Sequence, residues 1–251
     1  SVFINPLKRS DYKKYNFFCS TNLVFFLLRF ILSKNKENIK FNLSKYLIYA
    51  ALGTICDVMP LRGINRYLSI EAINSFDLNE DNAFSYILKI KKINRKLTID
   101  DLGYLIGPVL NSGGRLGRSK LATKLLISED KKEVQKISTD LLYTNEKRKI
   151  IEDRTLQKIE KKIVLNKNYI FHVEESISEG ILGILAARLA EKYNRPVVLA
   201  TYSGNIIKGS ARSIEEIDIG KILLNLKQKN ILIKGGGHAM AGGFSLLKKN
   251  I

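Results

Sequence analysis

Residues 130–163 contain no glycine and no proline, and they are dense in Lys and Glu. A run of about 34 residues without a breaker predicts one helix of about 50 Å at 1.5 Å per residue. A helix so long and so polar has too little apolar surface to be buried in one core, and it therefore bridges two. Residues 129–165 are expected to connect an earlier part, residues 1–128, to a later one, residues 166–251.

The two sides differ in texture. Before the long helix, apolar stretches have helical length. Helices are expected at 21–33, at 44–56 with Ser44 as N-cap, at 65–76, and at 121–127. Thr98 with Asp101 makes a capping-box-like start for a helix reaching about residue 110. Residues 1–5 read as a strand. After the long helix the period changes. Residues 169–173 read as a strand, 181–193 as a helix and 196–200 as a buried strand. That order is a βαβ unit. Further strands are expected at 206–210 and 244–247, with a helix at 219–228. The fold class is α/β, with the earlier part mostly helical.

Composition narrows the function. Lys and Arg total 42 against 24 Asp and Glu, a net charge of +18. Such an excess attracts polyanions, nucleic acid above all. It is dispersed rather than patched, and 30 of the 42 are lysine. The apolar run at 23–32 is about half of the ~20 residues that a membrane span needs. The two cysteines, Cys19 and Cys56, form no CxxC or Cys/His cluster, so a structural zinc site is not expected. Reduced thiols in a cytoplasmic protein are the plain reading.

Four segments carry more glycine and polar residues than packing calls for. Asp57 follows an apolar helix, where a carboxylate opposes the helix dipole and calls for a cation, either a metal ion or an arginine. GPVLNSGGRLGR at 107–118 has paired glycines suited to a turn, flanked by Asn111 and Arg115, whose amide and guanidinium suit phosphate. In KGSARS at 208–213, Ser210 and Arg212 lie two apart on an extended segment and point to one side. GGGHAMAGGF at 235–244 puts five glycines around His238, which can donate to phosphate or move a proton. His172 lies mid-strand and reads as structural. The start of the 181–193 helix, at Glu179-Gly180, is a weak candidate anion site, with neither a Walker nor a dinucleotide spacing.

In this order the segments resemble the DHH/DHHA1 phosphoesterase superfamily, and within it the RecJ family of single-stranded-DNA-specific 5′→3′ exonucleases. The resemblance rests on ALGTICDVMPLRGINRYL (51–68), GPVLNSGGRL (107–116), EGILGILAARLAEKYNRPV (179–197), KGSARS and GGGHAMAGGF, and it spans nearly the whole chain. It implies that residues 1–128 are the C-terminal portion of a DHH domain and residues 166–251 a DHHA1 domain. It implies phosphodiester hydrolysis of single-stranded DNA with two Mn²⁺ or Mg²⁺ ions, in DNA repair and recombination. Asp57 matches a metal ligand. Arg115, Ser210 and Arg212 match positions that hold the DNA end or backbone phosphates, and Asn111 a supporting contact. Gly235, Gly236, Gly237 and His238 match the DHHA1 loop over the substrate, with His238 next to the metals.

The chain departs from the family in having no DxD motif and no adjacent histidine pair. Ile177 and Ser178 stand where the family carries Trp-His, and no OB-fold segment follows the DHHA1 domain. Most metal ligands are therefore missing, and the chain alone is expected to be inactive, as the downstream part of a longer nuclease. Partners beyond single-stranded DNA, such as a single-strand-binding protein or a helicase, do not follow from the residues. Two other readings are a phosphodiesterase for short oligonucleotides or cyclic dinucleotides, and a non-catalytic single-strand-binding module.

Overall fold

The computed structural model describes residues 17–35, 41–164, 168–175 and 177–250. The strand expected at residues 1–5 lies outside them. The chain divides into two compact units. The first comprises Ser1–Asn111 with Leu121–Leu142, and the second Ser112–Lys120 with Tyr143–Ile251.

The first unit is helical. Its elements are α1 (Ser20–Lys34), α2 (Leu47–Cys56), α3 (Gly63–Ser75), α4 (Ala83–Ile90), the start of α5 (Gly107–Arg115), α6 (Lys120–Ile127) and the start of α7 (Lys131–Glu160). Its core gathers Ile48, Phe84, Ile87, Leu102, Ile106 and Leu141. Ser44 does not cap α2. A 3-10 turn, Leu43–Tyr46, precedes that helix, and Asn42 caps the turn by accepting from the Ser44 N–H. Helix α4 was not expected from the apolar pattern. Its capping box pairs Asn82 with Ser85 rather than with the usual Glu or Gln.

The Thr98–Asp101 cap forms as expected. Asp101 accepts from the Thr98 N–H and hydroxyl, and Arg95 clamps the same carboxylate with two bonds of 2.6 and 2.9 Å. The Arg95 guanidinium holds the Asp101 carboxyl below its ordinary range. The helix does not end near residue 110. Asp101–Ile106 winds as a π-helix and runs into α5, which continues to Arg115. Pro108, which has no N–H to offer the preceding turn, follows directly on that π-helical stretch. Gly113 and Gly114 are therefore helical rather than a turn. The left-handed residue of this segment is Gly117, at φ +80°.

Helix α7 has 30 residues. It starts in the first unit, burying Val134, Ile137 and Leu141, and ends in the second, burying Ile159.

The second unit carries a five-stranded sheet of order β1-β2-β3-β5-β4. Its strands are β1 (Ile170–Val173), β2 (Val197–Ser203), β3 (Ile206–Arg212), β4 (Lys234–His238) and β5 (Ala241–Leu247). The helices are α8 (Glu179–Tyr193) and α9 (Ile219–Gln228). β1 and β2 pair in parallel across α8, which is the expected βαβ unit, and the other pairs are antiparallel. Asn194 ends α8 in the left-handed conformation at φ 48°, two residues before Pro196.

Each sheet face has its own core. Ile181, Leu185 and Leu189 of α8 pack with Ile170, Val197 and Leu199. Fully burying each of those leucines is worth roughly 1.5–3 kcal/mol. On the other face Ile219 and Leu223 of α9 pack with Ala200, Ile207, Ala211 and Leu246. The glycine run at 235–237 is not a loop but lies in β4, paired with β5. No helix among the described residues is long and apolar enough to cross a membrane.

Candidate phosphate-binding groove

The end of α5 and the sheet of the second unit bring three predicted residues together. Ser210 and Arg212 alternate on β3 and share a face, as their spacing predicts. The Arg212 Nη1 donates to the Ser210 hydroxyl at 3.1 Å and to the Ala211 carbonyl at 2.9 Å. Its Nη2 lies 2.8 Å from where a Cβ on Gly183 would stand, so the absence of a side chain on α8 admits the guanidinium. Arg115 donates from Nη1 to the Gly180 carbonyl at 3.2 Å.

Both guanidiniums are half-buried, and neither has a carboxylate within ion-pair distance among the described residues. Burial lowers the pKa of Arg212, and the charge of Arg115 lowers it further. Burial also lowers that of Arg115, and Arg148 adds to this while Glu152 opposes it. Arg148 is buried and bonded to Asn145 and Glu152, and its Nη1 to Glu152 distance is 2.6 Å. That pair is close to neutral, so Arg115 and Arg212 remain as two partly desolvated cations that repel each other. An anion bound between them offsets the repulsion.

Arg115 and Ser210 line a groove of about 520 Å³ together with Lys208, Lys234, Gly243 and Ser245, and Arg212 stands behind it, bonded to Ser210. The Lys208 ammonium pairs with Glu179 at 2.9 Å on its rim.

The other predicted residues are placed as follows. His238 ends β4 and is exposed, opposite Ala241, which in turn pairs with Arg212. Gly236 faces Gly243, which faces Ser210. Asp57 and Asn111 belong to the first unit. Asn111 is exposed on α5. Asp57 is exposed at the C-cap of α2, its carboxylate without a partner among the described residues. Val58 follows in the left-handed region at φ 52°. Behind this turn the buried Asn65 donates to the carbonyls of Phe17 (2.7 Å) and Pro60 (3.1 Å), while Asn22 donates to Asn65 and Thr54. His172 lies 3.7 Å from Glu174 inside the second unit. Among the described residues no group of three or more His, Cys, Asp or Glu could hold a metal ion, so the side chains here do not by themselves make the expected metal centre.

Residues 166–251 match the DHHA1 domain. The single-stranded-DNA-specific exonuclease RecJ of Haemophilus influenzae is 34% identical over 224 residues, covering 83% of this chain and 38% of that protein. The chain is RecJ-like. RecJ of Escherichia coli is 31% identical over 217 residues, again covering 38% of that protein. A crystal structure of RecJ from Thermus thermophilus in complex with Mg²⁺ superposes with a TM-score of 0.70 at 29% identity, covering 82% of this chain and 32% of that one. A structure of an exonuclease RecJ bound to manganese gives 0.68 at 28% identity, covering 82% and 51%. The chain thus spans 38% of the length of the RecJ proteins of Haemophilus influenzae and Escherichia coli.

Sequence reasoning took the start of α8, with Gly180 and Gly183, only as a weak anion site and passed over Lys234. The first two have a visible signal, two glycines within the first turns of an otherwise apolar helix. Lys234 has only its place before the glycine run.

Proposed function

We propose that this chain supplies the strand-end-binding part of a RecJ-like nuclease that hydrolyses phosphodiester bonds of single-stranded DNA from the 5′ end, in DNA repair and recombination. Residues 1–128 would then be the C-terminal portion of a DHH domain, 129–165 the connecting helix and 166–251 the DHHA1 domain. What carries the reading is the Arg115–Ser210–Arg212 cluster. A terminal phosphate has a charge of about −1.5 to −2 at neutral pH and three acceptor oxygens. Two unpaired guanidiniums suit it better than they suit an internal diester of charge −1. Ser210 orients Arg212, and the Arg212 Nη2 and Nε donors remain for the phosphate. Asn111, Gly235 to Gly237 and His238 are proposed as further substrate contacts, with His238 next to the metals.

The RecJ structures in complex with Mg²⁺ or bound to manganese support divalent-metal use in the family. Asp57 would supply one carboxylate to such a centre. One carboxylate does not hold a divalent cation at useful affinity, because Mg²⁺ and Mn²⁺ sites need several oxygen or imidazole ligands. The chain alone is therefore proposed to bind strand ends without cleaving them. Mn²⁺-dependent shortening of a 5′-phosphorylated strand by this chain alone would overturn that.

The binding test is fluorescence anisotropy with a single-stranded oligonucleotide bearing a 5′-phosphate or a 5′-hydroxyl. The phosphorylated strand is expected to bind more tightly. Arg212→Ala is expected to remove about 1.5–3 kcal/mol of that preference. Equal loss on both ends would make Arg212 a general backbone contact. Effective competition by a cyclic dinucleotide, which has no terminal phosphate, would favour the short-substrate reading.

A further inference from the structure

The glycines of β4 and β5 divide into two sets. A Cβ on Gly235 would stand 2.8 Å from Leu232, one on Gly237 would overlap the Ala241 carbonyl, and one on Gly242 would overlap Leu223. Those three are set against packed neighbours, Gly237 against main chain and Gly235 and Gly242 against the side-chain ends of Leu232 and Leu223 on the α9 side. Gly236 and Gly243 are not. A Cβ on Gly236 meets nothing within 4 Å, and one on Gly243 meets only the Gly209 carbonyl at 3.8 Å, an ordinary contact.

These two glycines pair with each other, and Gly243 pairs with Ser210. Paired residues of an antiparallel ladder share a face. That face is the one on which α8 covers β1 to β3, and it shows bare peptide on β5 and β4. Two residues along each strand, the next row is Lys208, Ser245 and Lys234. Lys208 is tied to Glu179, whereas Lys234 is exposed and has no partner among the described residues. Lys234, Gly243 and Ser245 line the same groove as Arg115 and Ser210.

We propose that Gly236 and Gly243 form a flat floor over which the strand runs, and that Lys234 holds an internal phosphate beyond the terminal one. The inference rests on the strand-end reading and extends it from a single phosphate to a polynucleotide track. Lys234 is four residues along and two strands across from Arg212, about 16 Å between main chains at ~3.3 Å per residue and ~4.8 Å per strand. A mononucleotide cannot reach both contacts, whereas an oligonucleotide can.

The experiment compares thymidine 5′-monophosphate with 5′-phosphorylated dT12, using the whole chain, with melting temperature as the folding control. Lys234→Ala is expected to weaken dT12 about five- to tenfold and to leave the mononucleotide unchanged. It should also reduce the steepness of log affinity against log salt by about 0.7, one single-strand phosphate contact. Gly243→Val is expected to melt like the parent and to bind dT12 at least tenfold more weakly. If dT12 affinity and its salt slope survive both substitutions, the track is wrong while the strand-end site stands. If the parent chain binds neither probe, both readings fall. If Gly243→Val unfolds the chain, Gly243→Ala, which adds only the accommodated Cβ, decides whether that glycine serves packing, and the Lys234→Ala salt slope still decides the phosphate contact.

Discussion

The Arg115 side chain donates to the Gly180 carbonyl, and the Arg115 main chain fills the space that a Cβ on Gly180 would occupy, coming within 2.8 Å of that position at Cα. The start of α8 is thus a seat for the end of α5. This explains a glycine in a first helical turn, where it costs conformational entropy. Gly180→Ala is expected to destabilise the second unit by about 1–3 kcal/mol through overpacking. It should weaken 5′-phosphate binding as well, because Arg115 is displaced. An unchanged melting temperature would show that the seat is not tight.

Val58 is 85% exposed and stands in the left-handed region just past α2, where its N–H bonds to the Ile55 carbonyl and the Met59 N–H to that of Thr54. This is the helix-ending motif usually built on glycine. A β-branched residue there costs about 1–2 kcal/mol. Val58→Gly is expected to stabilise the chain by up to about 1 kcal/mol, after the entropy that glycine adds to the unfolded state. Chemical denaturation checks it, and destabilisation would mean that the valine makes an interaction its exposure does not suggest.

Asn65 is fully buried and ties α3 to the Pro60 carbonyl, in the turn that carries Asp57. Asn65→Ala leaves the Asn22 amide with one donor unmet and frees the Phe17 carbonyl. The expected cost is about 2 kcal/mol. The accompanying readout is proteolysis at 57–62, which should accelerate if Asn65 holds the turn and stay unchanged if it only fills space.

Glu174 is bonded to Lys162 at 2.8 Å and paired with Lys158 at 3.4 Å. Lys162 is the main cause that pulls its carboxyl from 4.5 down to about 2, against the opposing effect of burial. A lowered carboxylate pKa contributes stability that is complete above the unfolded value and is lost as pH falls through the folded one. Between pH 4.5 and about 2 the melting temperature should therefore fall more steeply for the parent than for Glu174→Gln. Parallel curves would mean that the lysines do not hold the carboxylate.

Much of this fold was legible because its signals are local. The breaker-free run makes α7, and the change of apolar period after it makes β1, α8 and β2. Ser210 and Arg212 were legible together because two residues along a strand return a side chain to the same face. The segment around Gly113 and Gly114 misled, since paired glycines permit a turn without requiring one. Helix α5 persists there because it enters from a packed π-helix. Helix α4 was missed because its cap uses Asn and Ser.

The sequence alone determined the helical and α/β halves, the helix linking them, and a phosphate-suited pair on β3. Only the tertiary structure decided that 234–238 is a strand, that Arg115 joins Ser210 and Arg212, and which glycines serve packing. The reason is that these depend on register and approach between segments far apart in the chain. A strand of glycines has no side-chain period of its own, and its place is set by the ladder it forms with β5. Two arginines 97 positions apart come near enough for their charges to act on each other only when α8 and β3 bring them together.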